Sequence, residues 1–315
     1  MNEKNQGFPK TRSGTKRLQK EIIRHKSVYV LLIIPLAYYI IFKYFPIWNG
    51  QIAFRDFMPL DGVIGSSWVG LKHFDTFFKS FYFWELLRNT LFYSFGKLLV
   101  SVPAAILLAV TLYESIRPRL AKAVQTLAYL PHFLSWVIMY GILLVLLAPG
   151  DGIVNDIIKA LGGEPVAFMT DTKTFPWIVI FSDAWKEMGW SAIIFIAALI
   201  GIDPSLFEAA LVEGVSVPQR VWYITLPSIR PVIVMVVLLR LGTILDAGFN
   251  QMFMLYSIPV YSVADIIDTW VYRQGLLEFK FGLATSVGIF KGIIGLLLIG
   301  VSNWTVKRVS DSSLL

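Results

Sequence analysis

Cysteine is absent from the 315-residue chain, which excludes a disulfide framework and any cysteine-ligated metal and leaves the redox compartment unread. Charge is scarce as well: 16% of residues are charged, where soluble domains carry about 25%. The three histidines, His25, His73 and His132, lie far apart, and neither H-E-x-x-H nor G-x-S-x-G occurs. The signatures of a hydrolytic enzyme and of a metal site are therefore missing, and no catalytic residue is assigned. No G-x-x-x-x-G-K-[ST] occurs either, so the chain does not hydrolyse ATP through a P-loop. The polar segments are too short and scattered for a nucleotide-binding or sensory domain.

What fills the chain is apolar. Hydrophobic residues make up 56% and mean hydropathy is +0.65. Runs of about 20 apolar residues cross a hydrocarbon core of roughly 30 Å as helices. Such runs predict six spans at 28–47, 90–113, 124–148, 175–200, 231–252 and 283–304, an all-α polytopic membrane protein. The first run continues through Ile40, Phe42, Tyr44 and Phe45 without a small-residue cleavage site, so it reads as a retained helix and not as a signal peptide.

Basic residues set the expected orientation. With the N-terminus inside, the cytoplasmic segments 1–27, 114–123, 201–230 and 305–315 carry 15 Lys and Arg. The outer segments 48–89, 149–174 and 253–282 carry 8 over a greater length. That bias predicts N-in, C-in. Residues 1–27 form a basic tail, 28–304 the six-span domain and 305–315 a short C-terminal tail. The net charge of +7 then belongs to a tail facing anionic lipid, and no nucleic-acid partner is implied.

The outer segment 48–89 is dense in aromatics, among them Trp48, Phe54, Trp68, Phe74, Phe77, Phe78 and Trp84, which predicts packed amphipathic pieces. Residues 264–270 read as a short helix with Asp265 and Asp268 on one face. Either a docking surface for an external partner or a simple lid over the bundle accounts for these segments.

The cytoplasmic loop 203–227 has legible local chemistry. Asp203 can cap a helix with Pro204 in its first position, and Gly214 can end it with positive φ. Ser216 and Gln219 have capping-box spacing for a second short helix, which Pro227 limits. Phe207, Ala210, Leu211 and Gly214 share one face, suited either to another protein's groove or to lipid headgroups.

The residues Glu208-Ala209-Ala210, Gly214 and Ile224-x-Leu226-Pro227 resemble the EAA loop of binding-protein-dependent ABC importer permeases. One acidic position departs, Glu213 standing where Asp is commoner. Asn89-Thr90-Leu91, Pro103-Ala104-Ala105, Tyr129-Leu130-Pro131 and Trp185–Trp190 look like the maltose-type carbohydrate permeases. Residues 263–273 are similar to a subgroup handling oligosaccharides and polysaccharide fragments.

The resemblance implies a type I ABC importer fold in a bacterial cell membrane. Glu208, Ala209, Ala210, Leu211, Gly214, Ile224, Leu226 and Pro227 would couple to an ATPase. Implied partners are two ATPase subunits, a second permease of different sequence and an extracytoplasmic solute-binding protein. The chain itself would bind no cofactor, ATP and Mg being used by the partner subunits.

Charges inside spans are costly and mark functional candidates. Asp183, Lys186, Glu187 and Trp190 in the fourth span fall on one helical face, and Arg240, Asp246 and Asn250 follow in the fifth. Planar polar groups beside aromatic rings suit a sugar. Mutual charge pairing is the competing reading for each. Lys291 lies within a span too, and Lys97 is placed near a span end, where it can snorkel. With Lys186 and Arg240 in reach, a uronate-containing oligomer is one cargo. An amino acid, phosphate or metal complex on the same architecture is the alternative.

Overall fold

The computed structural model describes residues 24–115 and 117–309, and the tails expected at 1–27 and 305–315 fall largely outside them. Four described helices are long and apolar enough to cross a membrane, and two bent helix pairs raise the number to six.

Helix α1 (Lys26–Phe54) stands away from the bundle. No residue between Lys26 and Trp48 is buried, and only its last turns reach the other spans, where Ala53 is enclosed. A π turn at Ile40–Tyr44 precedes Pro46. Proline lacks the N–H that bonds four residues back, and the widened turn accommodates that loss.

The aromatic-rich segment 48–89 contains a two-residue antiparallel ladder, β1 (Arg55–Asp56) on β2 (Ser67–Trp68), followed by α2 (Lys72–Phe78). Phe54 stacks on Trp68 with ring centroids 5.5 Å apart, and Phe74 flanks Phe54. The aromatics are packed, as expected, though around a small ladder.

The bundle is centred on two long helices, α3 (Phe83–Tyr113) and α7 (Phe175–Ile200). Ala105 and Ala109 of α3 and Ala192 of α7 are fully buried beside Phe195 and Leu199. Small residues let backbones approach closely, the usual source of helix association where lipid removes the hydrophobic drive.

The third span is bent where one straight helix was expected. α4 (Pro118–Phe133) and α5 (Trp136–Leu147) meet at 109° across Leu134-Ser135. Leu134 is extended, and Ser135 restarts the helix by accepting from the Ile138 N–H at 3.3 Å. A short helix, α6 (Ile153–Ala160), follows. Gly189 of α7 lets the bend in: a Cβ there would lie 2.0 Å from the Ala128 carbonyl oxygen.

The loop 203–227 also differs from expectation. α8 (Pro204–Val212) forms as read, turned 75° from α7, with Asp203 accepting from Ser205 N–H at 2.9 Å and Gly214 at φ +70°. The second helix is not separate. It is the start of α9 (Val217–Leu241), which runs on through Pro227 because a π turn at Val221–Thr225 accommodates the proline.

The fifth span breaks after Leu241, inside the run 231–252 expected to be one helix. Ile244–Asp246 form a 3-10 turn, Ala247 and Gly248 take φ +37° and +82°, and α10 (Phe249–Leu255) resumes. Asp246 and Asn250 are consequently on different elements.

The segment that follows the fifth span is a lid on α3. Val263 O accepts from Tyr93 OH at 2.7 Å, and Ile267 N–H donates to Thr90 Oγ1 at 3.0 Å. Asp265 lies outside the helix α11 (Ile267–Tyr272), bound to Arg273 and Thr269, so it does not share a helical face with Asp268. α12 (Phe281–Val309) closes the bundle.

Candidate functional site

The break in the fifth span gathers the buried charges. Lys97 sits in the middle of α3, since that helix begins at Phe83 and not near 90. It is buried and does not snorkel, unlike the expectation for a cation near a span end. Its Nζ donates to the Ala247 carbonyl at 2.7 Å and lies 3.6 Å from Asp183 Oδ1. Asp183 Oδ2 accepts from Ser101 Oγ at 3.2 Å. Gly248 is needed here, because a Cβ would stand 2.5 Å from Lys97 Nζ.

Arg240 lines the same hollow and donates to Ser191 Oγ at 2.8 Å. Asp246 borders that hollow as well. Its Oδ1 is 3.2 Å from Lys291 Nζ, which also donates to Asp268 Oδ1 at 2.5 Å. Asn250 lines the adjoining hollow with Trp136, Asp246, Asp268 and Lys291. Four of the residues expected in a cargo pathway, Asp183, Arg240, Asp246 and Asn250, thus surround one irregular segment.

The other three group elsewhere. Lys186 donates to the His132 carbonyl at 2.5 Å and the Pro131 carbonyl at 3.3 Å, satisfying oxygens that the bend of the third span frees. Glu187 pairs with His132 Nδ1 at 2.9 Å and lies 3.6 Å from Lys186. Trp190 stacks on the His132 ring at 4.6 Å and 3°. Asp183 faces α3 while Lys186, Glu187 and Trp190 face the bend, so the polar stripe read from spacing is divided. Trp136 joins the groups, its ring 5.9 Å from Lys186 Nζ.

Lys97 and Lys291, noted in the sequence as charges within spans, complete the network together with Ser101, His132 and Asp268, which had not been assigned to it. The cations were visible as charges in apolar runs. Asp268 gave no such signal, because its partner is 23 residues away on α12.

The loop 203–227 presents two sides. Ala210 is buried, and Phe207 packs against Tyr113 at the end of α3, with ring centroids 5.8 Å apart. Arg220 pairs with Glu114 beside it. That side fastens the loop to the bundle, so Phe207 and Ala210 are not free for a partner, in contrast to the shared face read from spacing. The outward side carries Leu206, Glu208, Ala209, Leu211 and Val212, with Leu211 64% and Val212 88% exposed. Ile224 and Leu226 are half-buried and Pro227 is exposed. The Ser205 N–H holds the Asp203 carboxyl below the usual carboxylate range, so this cap is present at neutral pH and lost only as pH falls through that lowered value.

Comparison with known proteins agrees with this architecture. The pattern of the family described as "Binding-protein-dependent transport system inner membrane component" matches residues 101–311. The polygalacturonan/rhamnogalacturonan transport system permease protein YteP of Bacillus subtilis is 40% identical over 299 residues, 95% of this chain and 93% of that protein. LplB of the same organism is 39% identical over 291 residues, 92% of each.

One chain of a bacterial ABC transporter involved in import of the acidic polysaccharide alginate superposes with TM-score 0.86 and 37% identity. The match covers 93% of this chain and 99% of that one. A chain of the alginate transporter in complex with an alginate pentasaccharide-bound periplasmic protein superposes equally well, at 36% identity, over 95% and 100%. A bundle of four to six apolar spans around a broken fifth one, matched along nearly its whole length, belongs to the family of binding-protein-dependent transport system inner membrane components.

Proposed function

We propose that this chain is the permease subunit of an ATP-driven importer that carries an acidic oligosaccharide through the hollows at the break of the fifth span. Cargo-named relatives along most of the chain support a carbohydrate, and two of them name acidic polymers. The amino acid, phosphate and metal-complex alternatives have no counterpart among them. The observation that carries the acidic reading is internal: in the adjoining hollows Lys97 and Lys291 face Asp183, Asp246 and Asp268, whereas Arg240 donates to Ser191 Oγ and makes no ion pair among the described residues. A buried charge in a span is costly and is kept where it contacts an ion path or cargo.

Power comes from elsewhere. One of two ATPase subunits seats on the outward side of α8, where exposed Leu206, Leu211 and Val212 offer an apolar ridge beside Glu208. The inward side, fixed by Tyr113–Phe207 and Glu114–Arg220, carries their movement into α3, α7 and α9, giving alternating access with both chain ends cytoplasmic. A second permease of different sequence completes the pathway, and the unburied flank of α1 is available to it or to lipid. An extracytoplasmic binding protein delivers cargo to the outer ladder and lid.

Uptake of tetragalacturonate by the assembled transporter in proteoliposomes, with its binding protein and ATP, tests the reading. ATP-dependent accumulation supports it. Accumulation of phosphate or amino acids instead, with none of the saccharide, refutes it.

A further inference from the structure

Lys291 is held by two carboxylates that differ in kind. Asp268 lies on the lid helix α11, its side chain 22% exposed, and approaches Lys291 Nζ to 2.5 Å. Asp246 lies on the irregular segment of the fifth span, its side chain 69% exposed, at 3.2 Å. Among the described residues the Asp246 carboxylate makes this single ion pair. It also borders three hollows at once, of about 200, 360 and 410 Å³. One holds Lys97, Asp183 and Arg240, the second Trp136 and Asn250, and the third the glycine-lined flank of α12.

From this we infer that Lys291 binds a carboxylate of the cargo, and that Asp246 is the placeholder which the cargo displaces. The inference rests on the acidic-saccharide reading above and names the residue that reads the charge. An ammonium offers three donors, so Asp268 can keep Lys291 oriented while the remaining donors change partner. An ion pair with one largely exposed member holds weakly, because water competes for both charges. Replacing the Asp246 carboxylate by a uronate carboxylate conserves charge and donor geometry, so the exchange is nearly balanced and the ammonium is never left bare. A neutral sugar has no group to make that exchange.

The surroundings suit a sugar ring at this point. Gly288 and Gly292 lie three residues before and one after Lys291, and a Cβ on either would meet nothing within 4 Å. A pyranose can therefore lie against the backbone of α12 with its carboxylate toward Lys291. Asp246 is carried by a segment with two left-handed residues, Ala247 and Gly248, so its withdrawal needs no unwinding of a regular helix.

The test separates a placeholder from an ordinary salt bridge by sign. In the assembled transporter, Lys291→Gln should raise the KM for tetragalacturonate about tenfold or more, as expected for loss of a charged hydrogen bond. Lys291→Arg should retain most of the affinity. Asp246→Asn should do the opposite of Lys291→Gln, lowering the KM by removing the competitor. A KM raised by both Lys291→Gln and Asp246→Asn, or changed by neither, overturns the inference while wild-type uptake leaves the importer reading intact. If wild-type transporter accumulates no tetragalacturonate, the underlying reading fails. Should Lys291→Gln not assemble with its partner subunits, the direction of the Asp246→Asn effect still decides.

Discussion

Lys97 Nζ on α3 donates to the carbonyl of Ala247 at 2.7 Å, across 150 residues of sequence. The carbonyl is one that the break in the fifth span removes from helical bonding, and the cation is one that Asp183 neutralises from the other side. Three elements are therefore tied at a point where a lone charge or a lone carbonyl would each be costly.

Removing one member of that group should cost more than removing the pair. Lys97→Met leaves Asp183 with only Ser101 and leaves Ala247 O bare, which should destabilise by about 3 kcal/mol. The double variant Lys97→Met/Asp183→Leu should recover part of this. Thermal unfolding of the detergent-solubilised complex measures both, and strict additivity of the two single effects would contradict the coupling.

The crossing of α4 on α7 depends on Gly189. Gly189→Ala forces a methyl into the Ala128 carbonyl and should destabilise by about 1–3 kcal/mol through displaced backbone. Gly141→Ala, on α5, meets nothing within 4 Å and should leave stability unchanged or slightly improved. Melting temperatures of the two variants, measured side by side, distinguish a steric cause from a general intolerance of substitution.

Docking and anchoring in the loop 203–227 should separate experimentally. Glu208→Lys reverses a charge on the outward side of α8 and should abolish co-purification of the ATPase subunits. Gly214→Asp should do the same through its φ of +70°. Glu114→Gln breaks the internal anchor to Arg220, so it should leave co-purification intact while transport per ATP hydrolysed falls several-fold. Loss of co-purification with Glu114→Gln would mean that the anchor and the docking side are one surface.

Much of this was legible where the determinants are local. The fourth span was read at 175–200 and forms at Phe175–Ile200, bounded by Pro176 in its first turn and Gly201 at its end. Asp203, Gly214 and Ser216 act within a few residues of themselves, so the loop's caps were readable too. The bend at Leu134-Ser135 was not, since the apolar run continues through it, and the break at 242–248 was not, although Gly242, Asp246 and Gly248 stand within the run 231–252 read as one helix. Lys186 stabilises the first from 54 residues away and Lys97 the second from 150, and no window along the chain contains such partners. Pro227 misled in the other direction. Its helix-breaking effect is local, but a π turn just before it absorbs the defect.

The most direct test is ATP-dependent uptake of radiolabelled tetragalacturonate into proteoliposomes holding the complete transporter, with wild-type chain beside Glu208→Lys. Accumulation against a gradient by the wild type, lost with Glu208→Lys, is the predicted result. No saccharide accumulation by the wild type, or undiminished accumulation by the variant, would contradict it.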